Sequence, residues 1–219
     1  GVSHELKTPL ASLTATITGL FEGGVPWDEE RVRQELRAVE QDLIRLGSSI
    51  NSLLDLSRLE ASEWRPRIER YELGEILGTV LSRLPPGQQA RVSDSLPENL
   101  PQIHVDFDQW VRVIEHLLEN GLQYSGPESP VRVGAAATLS EARMWVEDEG
   151  PGIGPEERGK VFDRFYRGQA ATQASGTGIG LAITREIVEF HRGRIWIEDV
   201  APHGARFVIA LPRADAGGG

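Results

Sequence analysis

The chain has 219 residues, of which 39% are hydrophobic and 26% are charged, and these values predict one or two soluble globular domains. It has no cysteine, which excludes disulfides and thiolate metal sites, and its formal net charge of −10 argues against nucleic acid as the main partner. No apolar run approaches the roughly 20 residues of a membrane-spanning helix, and no signal peptide opens the chain. We expect no membrane contact from this sequence. Because its first motif lies at its very start, we expect it to be part of a longer protein.

The first 60 residues predict two helices. Their apolar residues recur in alternating steps of four and three, which is typical of heptads: Leu6, Leu10, Leu13, Ile17 and Leu20, then Val32, Leu36, Val39, Leu43, Leu46, Ile50 and Leu53. Residues 23–26 (Gly-Gly-Val-Pro) break the first helix, and the acids after Trp27 suit a new N-terminus. The α-helical hairpin leaves an apolar seam, and pairing with a second copy would close a dimeric four-helix bundle.

The segment Ser-His-Glu-Leu-Lys-Thr-Pro-Leu at residues 3–10 carries the first chemistry. His4 has an acid, Glu5, beside it and Thr8 one helical turn later, a set of side chains suited to moving a phosphoryl group. His4 follows a seam position by one residue, so we expect it to project from the flank of the bundle. A purely structural hairpin would explain the heptads but not the position of this histidine.

Beyond Arg65-Pro66 the pattern becomes mixed. We predict helices at 73–84, 108–124 and 180–191, the first stopped by Pro85-Pro86-Gly87, and strands at 103–105, 131–137, 142–147, 194–199 and 205–211. This order favours an α/β sandwich with helices on one face of a mostly antiparallel sheet. The predicted domains are the hairpin at 1–63, a linker at 64–70, the sandwich at 71–213 and a flexible tail at 214–219.

A glycine-rich segment, residues 176–181 (Gly-Thr-Gly-Ile-Gly-Leu), runs directly into a predicted helix. Glycines let the backbone approach a phosphate, and the free N–H groups of a helix start favour negative charge. The segment lacks the Lys of a Walker loop and the spacing of the dinucleotide fingerprint. An ordinary glycine-rich turn is the alternative.

A second turn, residues 148–154 (Asp-Glu-Gly-Pro-Gly-Ile-Gly), follows a predicted strand. The carboxylate of Asp148 at the strand end could accept a hydrogen bond from an adenine amino group. A surface turn is the alternative.

On the predicted helix 108–124, a polar face lies away from the apolar one. His116 and Asn120 share it with Gln123 or Tyr124, at spacings of four and three. Asn120 offers a neutral oxygen, and magnesium bound to ATP takes only one or two protein oxygens. A solvated asparagine is the alternative.

Two phenylalanines, Phe162 and Phe165, precede a run of small residues at 168–175. They could anchor a mobile flap that brings Arg167 to bound phosphates. Two core phenylalanines followed by a disordered loop are the alternative.

These motifs, in this order, resemble those of the sensor histidine kinases of two-component systems. His-Glu-Leu-Lys-Thr-Pro, Leu-Leu-Glu-Asn, Asp-x-Gly-x-Gly-Ile, Phe-x-x-Phe and Gly-Thr-Gly-Ile-Gly-Leu correspond to the H, N, G1, F and G2 boxes. The resemblance implies a dimerisation and phosphotransfer hairpin followed by an ATP-binding domain of the Bergerat (GHKL) type. Residues 26–60 and 103–125 are most similar to the Kdp-type potassium-sensing kinases.

The resemblance also implies roles for the residues. His4 would be the phosphoacceptor, Glu5 its acid–base partner, Thr8 the residue that positions water for dephosphorylation of the partner, and Asn120 the magnesium ligand. The implied ATP-binding residues are His116, Asn120, Gln123, Tyr124, Asp148, Gly150, Gly152, Ile153, Phe162, Arg167, Gly176, Thr177, Gly178, Ile179, Gly180 and Leu181.

Mg-ATP would be the phosphoryl donor and an aspartate of a response regulator receiver domain the acceptor. The resemblance further implies a homodimer and a membrane-anchored parent protein with this portion in the cytoplasm.

Three positions depart from the family pattern. His116 replaces an asparagine, Gln123 replaces a common lysine, and Ala205 stands where many relatives have a threonine near the adenine. These departures leave two alternatives open. One is a degenerate dimeric sensor that binds nucleotide without phosphotransfer, and the other is a gyrase- or chaperone-like ATPase, for which His4 would have no use.

Overall fold

A computed structural model of the chain describes residues 2–22, 28–60, 66–168 and 178–213, and within the first two ranges it describes only some of the side chains. The described helices and strands are, in chain order, α1 (Val2–Glu22), α2 (Glu29–Glu60), β1 (Ile68–Tyr71), α3 (Leu73–Arg83), α4 (Pro86–Gln89), β2 (Val92–Ser95), β3 (Ile103–Asp106), α5 (Phe107–Tyr124), β4 (Val131–Ala137), β5 (Glu141–Glu147), a 3-10 turn (Lys160–Phe162), α6 (Gly180–Phe190), β6 (Arg194–Asp199) and β7 (Ala205–Pro212).

The first two helices pack against each other as the predicted hairpin. The side chain of Asp28 accepts a hydrogen bond from the backbone N–H of Arg31 (2.8 Å) and so caps the start of α2. Leu13 is buried in the hairpin, but other large apolar residues of both helices are exposed in the single chain: Leu10, Ile17, Phe21, Leu36, Leu43, Ile50 and Leu54. Five of these seven are predicted seam residues, so the hairpin alone leaves much of its apolar seam open to solvent.

The second half of the chain is built on a five-stranded sheet of order β2-β4-β5-β7-β6. The β2–β4 pair is parallel and the other pairs are antiparallel. Alternate residues of the strands face the core, so that Val146 lies opposite Phe207 and Met144 opposite Ile209. The core lies between this face and helices α3, α5 and α6, whose buried side chains include Trp110 and Ile183.

Two strands of this half were absent from the predicted elements. Residues 68–70, predicted as linker, belong to β1, which pairs antiparallel with β3 and thereby joins the second domain. β2 lies at the sheet edge, parallel to β4. Both strands are short and largely exposed, so neither carries the alternating apolar pattern that identifies a strand from sequence.

The opposite face of the sheet carries a layer of tryptophan and arginine side chains. The ring of Trp145 lies across Gly134, where an added Cβ would come within 2.4 Å of two ring carbons. The Arg206 guanidinium lies 5.7 Å from the centre of the Trp145 ring and bonds Glu147 at 2.6 Å. Side chains of the strands themselves therefore cover this face of the sheet.

Candidate nucleotide-binding site

Asp148 lies immediately after β5, and its side chain is only 5% exposed. Its Oδ1 accepts hydrogen bonds from the backbone N–H groups of Gly150 (2.8 Å) and Ala205 (3.3 Å). Burial raises the pKa of this carboxyl above its usual value; the two backbone hydrogen bonds oppose the rise and the charge of Glu147 adds to it. A buried carboxylate held in this way presents a fixed acceptor.

The backbone closes around this carboxylate so tightly that side chains are excluded. Gly204 has a φ of +133°, and a Cβ on it would lie 2.0 Å from the carbonyl oxygen of Asp148. A Cβ on Gly150 would lie 2.9 Å from both Asp148 Oδ1 and the carbonyl oxygen of Tyr124. The site is therefore a cradle that only glycine allows at these positions.

Helix α5 passes beside the cradle because Gly121 lets it come close. A Cβ on Gly121 would lie 3.6 Å from the Cβ of Asp148 and 3.0 Å from Val131. Asn120, the predicted metal ligand, is half-buried next to this contact, and Gln123 is exposed. These residues therefore lie on the helix that flanks the carboxylate.

Tyr124 and Arg167 approach each other from different segments. Burial raises the pKa of the Tyr124 hydroxyl, and the positive charge of Arg167 partly offsets this rise. Arg167 is exposed. Arg167, which is predicted to reach bound phosphates, therefore lies close enough to Tyr124 to influence the Tyr124 hydroxyl. Tyr124 is the last residue of α5 and directly precedes the C-cap Ser125.

His116 faces helix α6. Its Nδ1 lies 3.4 Å from Thr184 Oγ1, and a Cβ on Gly180 would lie 3.5 Å from its ring. The residues of the polar face predicted on α5 therefore have two different environments, because His116 contacts α6 and Gln123 is exposed to solvent.

Gly178 and Ile179 lead directly into the start of α6. Gly178 has a φ of +64°, and its carbonyl accepts the N–H of Phe165 at 2.9 Å. Ile179 is the N-cap and makes no side-chain cap bond within the described residues, so the first N–H groups of α6 suit a phosphate. Gly176 and Thr177, predicted for the same role, lie outside the described residues.

The structure places two predicted binding residues in the hydrophobic core. Ile179 is fully buried, and Phe162 is buried with its ring edge-on to that of Phe207, 6.4 Å between centres. Both side chains therefore pack in the core next to the site. For Phe162, this is the alternative of a core phenylalanine. Leu181 and Ile153 are half-buried and also pack against the core.

The remaining predicted residues divide between the two halves of the chain. Gly152 continues the turn after Asp148 with a φ of +77°. His4, Glu5 and Thr8 lie in helix α1, and their side chains lie outside the part of the chain that the structure describes.

Sequence reasoning missed two contributors to the cradle. From the sequence, Ala205 stood out only because it lacks a threonine hydroxyl. In the structure its backbone N–H donates a hydrogen bond to Asp148, and any residue except proline at this position would supply that N–H group. The Nδ1 of His203 lies 3.2 Å from the carbonyl oxygen of Gly150. The Gly204-Ala205 pair was the available signal, because a glycine before a strand often marks a close backbone approach.

Comparisons with known proteins agree with this arrangement. The family described as "His Kinase A (phospho-acceptor) domain" matches residues 1–62, and the family "Histidine kinase-, DNA gyrase B-, and HSP90-like ATPase" matches residues 105–215. The sensor protein KdpD of Escherichia coli is 34% identical over 217 residues, 98% of this chain and 24% of that protein. The adaptive-response sensory kinase SasA of Synechococcus is 32% identical over 214 residues, 95% of this chain and 57% of that protein.

A solved structure of the histidine kinase AdeS of Acinetobacter baumannii has the same fold. Its TM-score is 0.73 at 24% identity, and the match covers 96% of this chain and 98% of that chain.

The chain therefore belongs to the histidine kinase family, with a phospho-acceptor domain ahead of the ATPase domain. The predicted fold class and family resemblance are confirmed, and a Kdp-type kinase is among the relatives. The chain spans about a quarter of KdpD and somewhat over half of SasA. Among the described residues, no helix combines the length and apolarity needed to cross a bilayer.

Proposed function

We propose that this chain is an ATP-dependent protein-histidine kinase core that phosphorylates itself on His4 and passes the phosphoryl group to an aspartate of a response regulator. The Asp148 cradle carries the proposal. A buried carboxylate fixed by two backbone N–H groups lies against α5 at Gly121, and the start of α6 lies against the same helix at His116. This pair of features suits a ligand with an amino group at one end and phosphates at the other.

The residues present fit Mg-ATP. Both hydrogen bonds that the described residues make to the Asp148 carboxylate go to Oδ1, which leaves Oδ2 for the adenine amino group. The N–H groups at the start of α6 and the exposed cation Arg167 suit the phosphates, and the amide oxygen of Asn120 suits one coordination position of magnesium.

The chemistry then depends on the hairpin. When ATP is bound, it supplies an electrophilic γ-phosphorus with ADP as leaving group. A neutral imidazole nitrogen of His4 forms the N–P bond as the bond to the bridging oxygen breaks, and Glu5 accepts the proton from the other ring nitrogen. Little covalent assistance is needed, so positioning and charge neutralisation would account for most of the rate.

Labelling with γ-labelled ATP and Mg²⁺ tests this proposal. The wild-type chain should acquire acid-labile label, and His4→Gln should acquire none while still binding a non-hydrolysable ATP analogue. An unlabelled wild type, under conditions in which a known histidine kinase is labelled, would contradict the proposal.

One observation favours the second candidate, a nucleotide-binding sensor without phosphotransfer. His116 contacts Thr184 of α6, whereas the resemblance implies that this position belongs to the ATP-binding residues. Retained nucleotide binding with no label on His4 would support this candidate, and ATP hydrolysis unaffected by His4→Ala would support a gyrase-like ATPase.

We also propose the surroundings in which the core works. The open seam of α1 and α2 supports a homodimer closed as a four-helix bundle, with the hairpin at 1–63 and the catalytic domain from β1 onward. A receiver domain would dock on the bundle beside His4. The similarity to sensor kinases supports a cytoplasmic position within a membrane-anchored parent.

A further inference from the structure

Helices α5 and α6, which flank the candidate nucleotide site, are in contact at two histidines. In the middle of α5, His116 contacts Thr184 of α6. At the start of α5, its N-cap residue Asp106 is contacted by His191, which directly follows α6. The second contact lies far from the nucleotide, since Asn120 is 14 residues, or about 20 Å of helix, away from Asp106.

His191 is nearly buried, and both of its ring nitrogens are bonded. Nε2 accepts the backbone N–H of Asp106 (3.0 Å), and Nδ1 lies 2.7 Å from the carbonyl oxygen of Ile187. Because Nε2 accepts, Nδ1 must carry the hydrogen and donate it to Ile187, which defines one neutral tautomer. The rings of Trp110 and Phe190 pack edge-on against the imidazole.

Asp106 connects this histidine to the linker. Its Oδ1 accepts the N–H of Gln109 (3.1 Å) and caps α5, while its Oδ2 accepts the N–H of Arg67 (2.8 Å) at the end of the linker. Its own N–H is the group that binds His191. One residue thus ties together the linker, the start of α5 and the end of α6.

Protonation of His191 is incompatible with this contact. A proton on Nε2 would point at the N–H of Asp106, so that two donors would oppose each other and the hydrogen bond would be lost. Burial, which is the largest influence, lowers the pKa of His191, while its bond to Ile187 and the facing carboxylate of Asp106 partly offset this. Arg192, the next residue in the chain, is exposed. The ring is therefore neutral at neutral pH, and acid is needed to charge it.

We propose that His191 and Asp106 form an acid-sensitive clamp that, while the imidazole is neutral, ties the end of α6 to the start of α5 and to the linker residue bound there, and that protonation of the imidazole breaks this tie to α6. Acidification would then loosen the packing of α6 against α5 and so disturb the start of α6, where the phosphates of a bound nucleotide would lie, and weaken nucleotide binding. Only the weaker nucleotide binding in acid rests on the proposed function; the acid-sensitive contact between α5 and α6 does not.

The sign of the effect follows from proton linkage. An unfolded histidine titrates near pH 6.5, and the folded His191 titrates at lower pH. Between these values the unfolded chain binds more protons, so the clamp's stabilisation is complete above about pH 6.5 and is lost as the pH falls. Protonation linked to His191 alone would raise the unfolding equilibrium constant by up to about tenfold for each unit that the pH falls within that window.

Urea unfolding between pH 8 and pH 5 tests the proposal with three proteins: wild type, His191→Gln and His104→Gln. Glutamine can accept the Asp106 N–H but does not titrate. His104 is the matched control, because it is exposed and accepts a hydrogen bond from Arg70 (2.7 Å). The ratio of the wild-type unfolding constant to that of His191→Gln should rise on acidification, and His104→Gln should follow wild type. Parallel wild-type and His191→Gln curves would overturn the proposal.

NMR of the wild-type chain gives an independent test that needs no variant. The ¹⁵N shifts of the His191 ring should indicate the Nδ1–H tautomer at pH 7.5. Protection of the Asp106 amide against hydrogen exchange, corrected for its intrinsic rate, should fall between pH 7.5 and pH 5.5. A ring already charged at pH 7.5, or an amide equally protected at both values, would refute the clamp. Neither result depends on whether His4 is labelled by ATP.

Discussion

Replacement of Asp148 by asparagine should separate nucleotide binding from folding. The asparagine Oδ1 can still accept the N–H groups of Gly150 and Ala205, so the cradle has no reason to open. The new amide NH₂ takes the position of Oδ2, however, and would face the adenine amino group donor to donor. The variant should therefore stay folded and lose affinity for ATP.

The size of the loss follows from the bond that is removed. A hydrogen bond to a charged group contributes about 1.5–3 kcal/mol, and each 1.4 kcal/mol is tenfold in affinity. ATP should therefore bind about 10- to 150-fold more weakly to Asp148→Asn.

The difference in stability between wild type and Asp148→Asn should depend on pH in a defined direction. Burial raises the folded-state pKa of Asp148 above its unfolded value near 3.8, so the folded chain binds more protons in that window. Wild-type stability is thus reduced as the pH rises through the folded pKa of Asp148, and Asp148→Asn lacks this loss. At pH 7 the variant should be at least as stable as wild type.

Titration calorimetry with a non-hydrolysable ATP analogue, together with thermal unfolding, measures both quantities. Glu149→Gln is the matched control, because it removes the same charge at the neighbouring residue. The Glu149 side chain pairs with Arg132 at 2.6 Å. Unchanged affinity in Asp148→Asn, or a loss of affinity accompanied by unfolding, would refute the role assigned to the cradle.

Two further predictions concern packing. Gly134→Ala places a Cβ 2.4 Å from the Trp145 ring and should destabilise the domain by about 1–3 kcal/mol in urea unfolding. A Cβ at Gly78 meets no atom within 4 Å, so Gly78→Ala should stabilise its helix by about 0.8–1 kcal/mol. Equal effects of the two changes would contradict the described packing. Leu43→Glu puts a carboxylate into the exposed seam and should convert a dimer to monomer in sedimentation velocity, while Glu40→Gln on the same helix should not. A dimer that survives Leu43→Glu would place the dimer interface elsewhere.

Local patterns predicted most of the elements and much of the candidate site. The helix spanning residues 108–124 differs by one residue from α5, because a long apolar face repeating at 3.6 residues is visible within the segment itself. Asp148 and its neighbouring glycines were likewise identified from one short segment. The two strands that were not predicted, β1 and β2, are short and mostly exposed, and only their partners in the sheet hold them extended.

The sequence by itself determined which segments form the long helices, which strands alternate, and which glycine turns accompany a carboxylate, because each of these depends on residues within a few positions of one another. Tertiary structure alone decided the contacts between distant segments. The register of β5 and β7 places the Ala205 N–H on Asp148, and the packing of α6 against α5 gives His191 the N–H of Asp106. Such pairs span 57 and 85 residues, and nothing local to either partner specifies the other. They form because burying the shared core brings their segments together, and a buried polar group must then find its hydrogen-bond partner there.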